Sequence, residues 1–416
     1  MDKLRISGGR PLEGAVRISG SKNAALPVMA ATLLVPGVHT LRNVPRLRDT
    51  QTFARVLELL GAKVAFEGNR MTIDTRGVNS VEAPYELVKT MRASIYVLGP
   101  LLARFGAARV SLPGGCAWGP RPVNLHLTGL QAMGAALDIE HGYIVGRDVK
   151  LKGATVGFDV ISVGATAQLM MAAVLAEGTT VLENVAVEPD VTVLGEVLAA
   201  CGAKIEGLGS RRLTIQGVRS LRPIDTTIIP DRIEAATFAA AAAMTRGKIR
   251  LEDVVPAHFE ASLLKLEEAG CTLRRDANAV TVSGPRRPQA VNVVTQPFPG
   301  FPTDMQAQMI AVCALADGTS VIEDTIYFDR FTHVPELARM GASIELKGNV
   351  AVVKGVERLS GAQVMATDLR ASASLVIAAL AAEGETVVDR IYHLDRGYEA
   401  LESKLAALGA RVERVK

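Results

Sequence analysis

The sequence predicts an α/β fold of two similar domains, each built from three βαβαββ-type units, and three observations carry that expectation. One phrase recurs six times along the 416 residues: an apolar helix ending at glycine, a β-rich stretch, an amphipathic helix, then Gly-Ala or a near equivalent. The first helix of each phrase is apolar around its whole circumference, as a helix enclosed on every side must be. The chain is also long and aliphatic enough, at 49% hydrophobic residues with only 4% aromatic, to fill two cores rather than one.

Taken in order, the glycines that end the first helices are Gly37, Gly106, Gly178, Gly247, Gly318 and Gly384. The second signals are Gly61-Ala62, Gly134-Ala135, Gly202-Ala203, Gly270-Cys271, Gly341-Ala342 and Gly409-Ala410, about 23 to 28 residues downstream. Units of roughly 70 residues therefore fill the chain. In the third unit, Ala165 to Ala176 reads as the enclosed helix and Glu177 to Asn184 as a helix cap followed by a strand. The segment ending at Ala200 reads as an amphipathic helix stopped by Gly202, and Ala203 to Glu206 as a further strand. Three units per domain let three sheets enclose three buried helices, with an active site expected between the domains. An open array is the other arrangement, disfavoured because solenoid units seldom carry a fully apolar helix.

Composition removes several function classes. The 46 basic and 43 acidic residues are spread along the chain and leave a net charge of +3, with no basic block or aromatic stripe of the kind that grips nucleic acid. The apolar runs Ala235 to Met244 and Ala373 to Ala382 fall short of the ~20 residues that cross a bilayer. No secretory signal precedes Arg5, so the expected location is the cytoplasm without membrane insertion. Cys116, Cys201, Cys271 and Cys313 lack C-x-x-C or zinc-like spacing, and the six histidines lack ligand spacing, so free thiols and no metal are expected. There is neither a phosphate-binding G-x-x-x-x-G-K-[ST] loop nor a dinucleotide fingerprint, and no cofactor is expected.

The starts of the six enclosed helices carry the chemistry. They read Ser21-Lys22-Asn23, Thr90-Met91-Arg92, Ser162-Val163-Gly164, Pro230-Asp231-Arg232, Pro302-Thr303-Asp304 and Thr367-Asp368-Leu369-Arg370, and four of them hold a cation. A cation in the first turn opposes the helix dipole by roughly 0.3 to 1 kcal/mol, so its repeated use implies an anionic ligand that offsets the cost. Arg121, Arg330 and Arg396, in loops, add anion-seeking groups. Cys116 sits in the turn-rich Pro113-Gly114-Gly115-Cys116-Ala117-Trp118-Gly119-Pro120 near Arg121, where a lowered pKa would suit a nucleophile or general acid, whereas the other cysteines read as small core residues.

Six strings, from Gly20-Ser21-Lys22-Asn23-Ala24-Ala25-Leu26-Pro27 through Lys89-Thr90-Met91-Arg92-Ala93-Ser94, Leu112-Pro113-Gly114-Gly115-Cys116, Phe301-Pro302-Thr303-Asp304-Met305-Gln306-Ala307-Gln308 and Asp368-Leu369-Arg370-Ala371-Ser372-Ala373-Ser374 to Asp395-Arg396-Gly397-Tyr398-Glu399, resemble those of the UDP-N-acetylglucosamine enolpyruvyl transferases of the EPSP synthase family. The resemblance runs from Lys3 to the C-terminus. It implies an inside-out α/β barrel, or α/β prism, in each of two domains, one at about 22–229 and one made of 1–21 plus 230–416. The implied reaction moves the enolpyruvyl group of phosphoenolpyruvate to the 3-hydroxyl of UDP-N-acetylglucosamine, the committed step of peptidoglycan synthesis.

By the same resemblance, Lys22, Arg121 and Arg396 would hold the phosphate, with Asn23 beside them, and Arg330 and Arg370 the carboxylate. Asp304 would take the proton of the sugar hydroxyl and Asp368 would assist proton transfer. Cys116 would protonate C3 and be the site of phosphoenolpyruvate adducts and of fosfomycin alkylation. Asn23, Arg92 and Arg121 would fix the sugar nucleotide, with Pro122, Val123, Asn124 and Leu125 forming the uracil side together with Val160, Ile161, Ser162 and Val163; Ile326 would offer backbone near the sugar. The family commonly has an acid at Asn124 and a lysine at Val160, which puts the diphosphate contact at Val160 in doubt. Transfer to shikimate 3-phosphate, and a sugar-nucleotide-binding protein without catalysis, are the rival readings; the Cys116 loop opposes the first and the retained catalytic set the second.

Overall fold

The computed structural model describes residues 2–88, 91–112 and 123–416, apart from the side chain of Arg92. The chain divides into two compact units, Gly20–Ile229 and Met1–Ser19 with Pro230–Lys416. Among the described residues, each contains three four-stranded sheets around three enclosed helices.

The enclosed helices are Lys22–Ala31, Leu98–Phe105, Val163–Ala173, Arg232–Thr245, Gln306–Ala314 and Leu369–Ala381, called here the first to sixth core helices. Alanine is frequent in all but the second, because a helix touched on every side by helices and sheets has little room for long side chains. In the fourth, every residue after Arg232 is buried. Within each unit the three pack on one another, and the sheets cover them from outside. Strands such as Val38–Arg42, Thr179–Glu183 and Lys248–Glu252 bury alternate residues, as expected of sheets with one face on a core and one in water.

All six sheets share one plan, in which an edge strand runs parallel to the strand that follows the core helix and the remaining two strands continue antiparallel. Two edge strands are exchanged in sequence. Asp225–Thr227, just before the fourth core helix, pairs with Val38–Arg42 of the first repeat, and Glu13–Arg17, just before the first core helix, pairs with Lys248–Glu252 of the fourth. The N-terminal strand Lys3–Ser7 lies between Glu385–Asp389 and Arg411–Val415 and completes the sixth sheet. Among the described residues no helix is long and apolar enough to cross a membrane.

The second glycine signals share one cause: Gly61, Gly134, Gly202, Gly270, Gly341 and Gly409 all take left-handed backbone, with φ between 90° and 109°. The helix-ending glycines do not. Gly37 and Gly247 lack positive φ and are required by close approach, since a Cβ would lie 2.5 Å from Cγ of Pro223 and 2.3 Å from the carbonyl of Leu12. Those two neighbours precede the two exchanged edge strands.

Candidate active site

Four of the six helix starts are capped before any ligand arrives. Ser21 and Ser162 accept from the backbone N–H of Ala24 and Ala165. Asp231 accepts from Ile233 and Glu234, and Asp368 from Arg370 and Ala371. At the fourth and sixth core helices the N–H groups expected to await a ligand anion are thus already held by the chain's own carboxylate.

In the Met1–Ser19 with Pro230–Lys416 unit, three of the expected residues meet directly. Asp304 stands in the 3-10 turn Thr303–Met305 that leads into the fifth core helix. Its Oδ1 accepts from Nη1 of Arg330 at 2.8 Å, and its Oδ2 lies 3.1 Å from Nη2 and 3.2 Å from Nε of Arg370. Both guanidiniums are deeply buried. Burial alone would lower the pKa of each, but the Asp304 carboxylate, joined by Asp368 at Arg330, outweighs it and holds both more firmly protonated. Burial also pushes the Asp368 carboxyl above the usual carboxylate range, against the pull of Arg330 and two backbone N–H groups. That favours its neutral form and suits a group that passes a proton on.

Tyr398 joins this cluster to the core. Its ring lies under the Arg370 guanidinium, 5.4 Å from Cζ, and its hydroxyl meets Thr237 at 2.9 Å and Nε2 of Gln308 at 3.2 Å. Two residues earlier, Arg396 ends the turn Leu394–Arg396, which packs against the sixth core helix so closely that a Cβ at Gly397 would lie 2.3 Å from Leu369. Ile326 is placed by its N–H, which donates to the buried carboxylate of Asp324 at 3.0 Å.

In the Gly20–Ile229 unit, Lys22 is buried with its Nζ 3.2 Å from Oδ2 of the equally buried Asp49, and neighbouring Ser21 donates to Asp190 at 2.6 Å. The expectation that Lys22 stands uncompensated until an anion binds is therefore corrected: a carboxylate of its own chain already balances it. Asn23 follows it and is less buried. Val123 and the helix Asn124–Ala132, which begins with Asn124 and Leu125, are brought to the third core helix, because His126 packs against Gly164, whose Cβ would lie 3.1 Å from its Nε2. Ile161, Ser162 and Val163 lead into that helix. Val160 is 67% exposed.

Cys116, Arg121 and Pro122, like the Arg92 side chain, lie outside the described residues. The other three cysteines are buried free thiols, with burial pushing Cys271 to about 12 and Cys313 to about 11. Sequence reasoning missed Asp49, Thr303, Asp324 and the role of Tyr398. Thr303 and Tyr398 lay in motifs already singled out; Asp49 and Asp324 did not.

The EPSP synthase (3-phosphoshikimate 1-carboxyvinyltransferase) family model matches residues 6–405. UDP-N-acetylglucosamine 1-carboxyvinyltransferases from Geobacter metallireducens and Shewanella amazonensis are each 57% identical, with both chains covered in full. Among solved structures, the enolpyruvyl transferase NikO from Streptomyces tendae superposes with a TM-score of 0.89 at 28% identity, covering 100% of this chain and 99% of that one. EPSP synthase from Acinetobacter baumannii superposes at 0.76 and 17% identity over the whole of both chains, a likeness of fold. A full-length match at this identity means that the chain belongs to the EPSP synthase family, within it to the UDP-N-acetylglucosamine 1-carboxyvinyltransferases, and is a transferase.

Proposed function

We propose that the chain transfers the enolpyruvyl group of phosphoenolpyruvate to the 3-hydroxyl of UDP-N-acetylglucosamine, releasing inorganic phosphate, as the committed step of peptidoglycan synthesis in the cytoplasm. The observation that carries this reading is the triad in which one half-buried carboxylate, Asp304, stands between two buried guanidiniums, Arg330 and Arg370. A base beside fixed cations is what adding a hydroxyl to an anionic enol ether requires.

In the first half of the reaction, the sugar oxygen bonds to C2 while the C2–C3 π electrons take a proton at C3, giving a tetrahedral ketal. Asp304 receives the hydroxyl proton, and Cys116 supplies the proton at C3. In the second half, C3 loses a proton, the double bond re-forms and the C2–O bond to phosphate breaks. Asp368, whose carboxyl burial favours in the neutral form, assists these transfers. Arg330 and Arg370 hold the substrate carboxylate. Lys22, Arg121 and Arg396 hold the phosphate and stabilise its departure, with Asn23 in support. The nucleotide is held by Arg92, by Pro122 to Leu125 and by Val160 to Val163, and Ile326 offers backbone to the sugar. An exposed valine at 160 offers a diphosphate no side-chain donor, so that contact must come from elsewhere.

The test is phosphate release on mixing the purified protein and phosphoenolpyruvate with either acceptor. Release with UDP-N-acetylglucosamine alone is expected. Release with shikimate 3-phosphate, or with neither, overturns the reading.

A further inference from the structure

Asp324 departs from a rule that four of the other five repeats obey. In those four the residue directly after the strand that follows the core helix, Asn43, Asn184, Asp253 or Arg390, takes left-handed backbone with φ of 55° to 59°. In the first and third, its amide holds the end of the edge strand, Asn43 donating to the carbonyl of Ile228 and Asn184 to that of Phe158. Asp324 occupies the same place after Thr319–Glu323 without positive φ, and its side chain keeps the edge-strand contact by accepting from Thr295 at 2.8 Å. It then does more. The same Oδ1 accepts the N–H groups of Ile326 and Tyr327, each at 3.0 Å, and Oδ2 accepts from the hydroxyl of Thr303 at 2.7 Å.

That last bond sets a direction. The Thr303 hydroxyl has one proton, spent on Asp324, so it turns a lone pair to Arg330, whose Nη1 donates to it at 3.0 Å and to Asp304 at 2.8 Å. One fully buried carboxylate thereby orients a carboxylate-holding arginine, the turn that carries Asp304 and the backbone of Ile326. We infer that Asp324 is a positioning residue for the reaction, acting through Thr303 on Arg330 and through backbone N–H groups on the sugar side of the site. The inference rests on the proposed function.

Asp324→Asn separates this role from a structural one. The repeats themselves show asparagine to be acceptable at this place for folding. An amide facing Thr303, however, donates where the carboxylate accepted, so the hydroxyl proton turns toward the guanidinium and Arg330 loses its acceptor. The expected result is a folded protein with kcat/KM for phosphoenolpyruvate lower by about 10- to 100-fold, the scale at which a displaced positioning group acts. Thr303→Val, which cuts the link and leaves Asp324 in place, should show the same loss, and Thr303→Ser should recover most of it. The double variant Asp324→Asn, Thr303→Val should lose no more than the worse single one. If wild type turns over and Asp324→Asn or Thr303→Val is kinetically unchanged, or if their losses multiply, the inference is overturned alone. A wild type that releases no phosphate overturns the functional reading beneath it.

Discussion

Asp304 is held by Arg330 at 2.8 Å, so the proposed base is already engaged by one of the two cations proposed to bind the substrate carboxylate; Arg370 engages its other oxygen. Substrate and base therefore compete for the same guanidiniums. On that reading a bound substrate carboxylate would weaken their hold on Asp304 and free it toward the sugar hydroxyl, linking loading of the site to release of the base. Asp304→Ala removes the internal competitor. It should bind phosphoenolpyruvate at least as tightly as wild type by calorimetry, while turnover falls about 10²- to 10⁴-fold, the usual worth of a positioned base. Without ligand the variant should be less stable by roughly 3 to 5 kcal/mol, since two buried cations lose a partner, and phosphoenolpyruvate should restore its melting temperature. Weaker binding in the variant would contradict the competition.

Lys22 and Asp49 form a buried pair, so Lys22 serves the fold in addition to the phosphate-holding role proposed for it. Lys22→Ala leaves a carboxylate that is 4% exposed facing a void, at a cost of roughly 3 to 5 kcal/mol. Adding Asp49→Ala should recover much of that stability without recovering turnover, because the phosphate still lacks its cation. Equal recovery of stability and turnover would show that Lys22 serves the fold alone.

Three of the four cysteines are buried, and burial raises each thiol above its ordinary range. A thiolate-seeking reagent at neutral pH should therefore label one site in the native protein quickly. Cys116→Ser should abolish that fast phase, and Cys201→Ser should leave it intact. Fast labelling that survives Cys116→Ser would remove the proposed proton donor from consideration. Phosphate release should fall in the same variant.

The architecture was legible because it repeats: six glycine signals and six apolar helices report packing constraints that act within some 25 residues, and all six second glycines do adopt left-handed backbone. The partners of the site were not legible, because they lie far apart in sequence. Ser21 meets Asp190 across 169 residues, and Arg370 meets Asp304 across 66. Periodicity places a residue on a face; it cannot say which carboxylate of another repeat will balance it. Asp324 was the exception that sequence could have yielded. Aligning the six repeats puts it beside Asn43 and Asn184, where a carboxylate in place of an amide reverses donor and acceptor. The exchanged edge strands hid the pairing of Asp225–Thr227 with Val38–Arg42 for the same reason of distance.

That exchanged pairing is one place where acid should act. His39, fully buried on the strand Val38–Arg42, accepts the N–H of Ile224 on Nδ1 at 2.9 Å, so Nδ1 is the unprotonated nitrogen. Nε2 then carries the hydrogen, shared between Thr75 at 3.0 Å and the carbonyl of Val35 at 3.3 Å. A second proton would have to enter between Nδ1 and a backbone N–H. Burial lowers the pKa to about 4; the Val35 carbonyl opposes the shift, Arg104 adds to it and Asp74 weakly opposes it. The folded value lies below the unfolded one of 6.5, so the unfolded chain takes up the proton first. The stability tied to neutral His39 is whole above pH 6.5 and drains away as pH falls toward 4. A shift of that size corresponds to roughly 3 kcal/mol. His39→Gln offers an acceptor to Ile224 and a donor to Val35 without titrating. In urea unfolding at pH 7.5, 5.5 and 4.5, wild type should lose roughly 3 kcal/mol more than this variant on going to the lowest pH, with the gap opening below 6.5. Parallel losses in the two proteins would show that the latch at Ile224 does not titrate, and acid sensitivity would then have to come from elsewhere, such as the buried His333 of the other unit, which burial lowers to about 3.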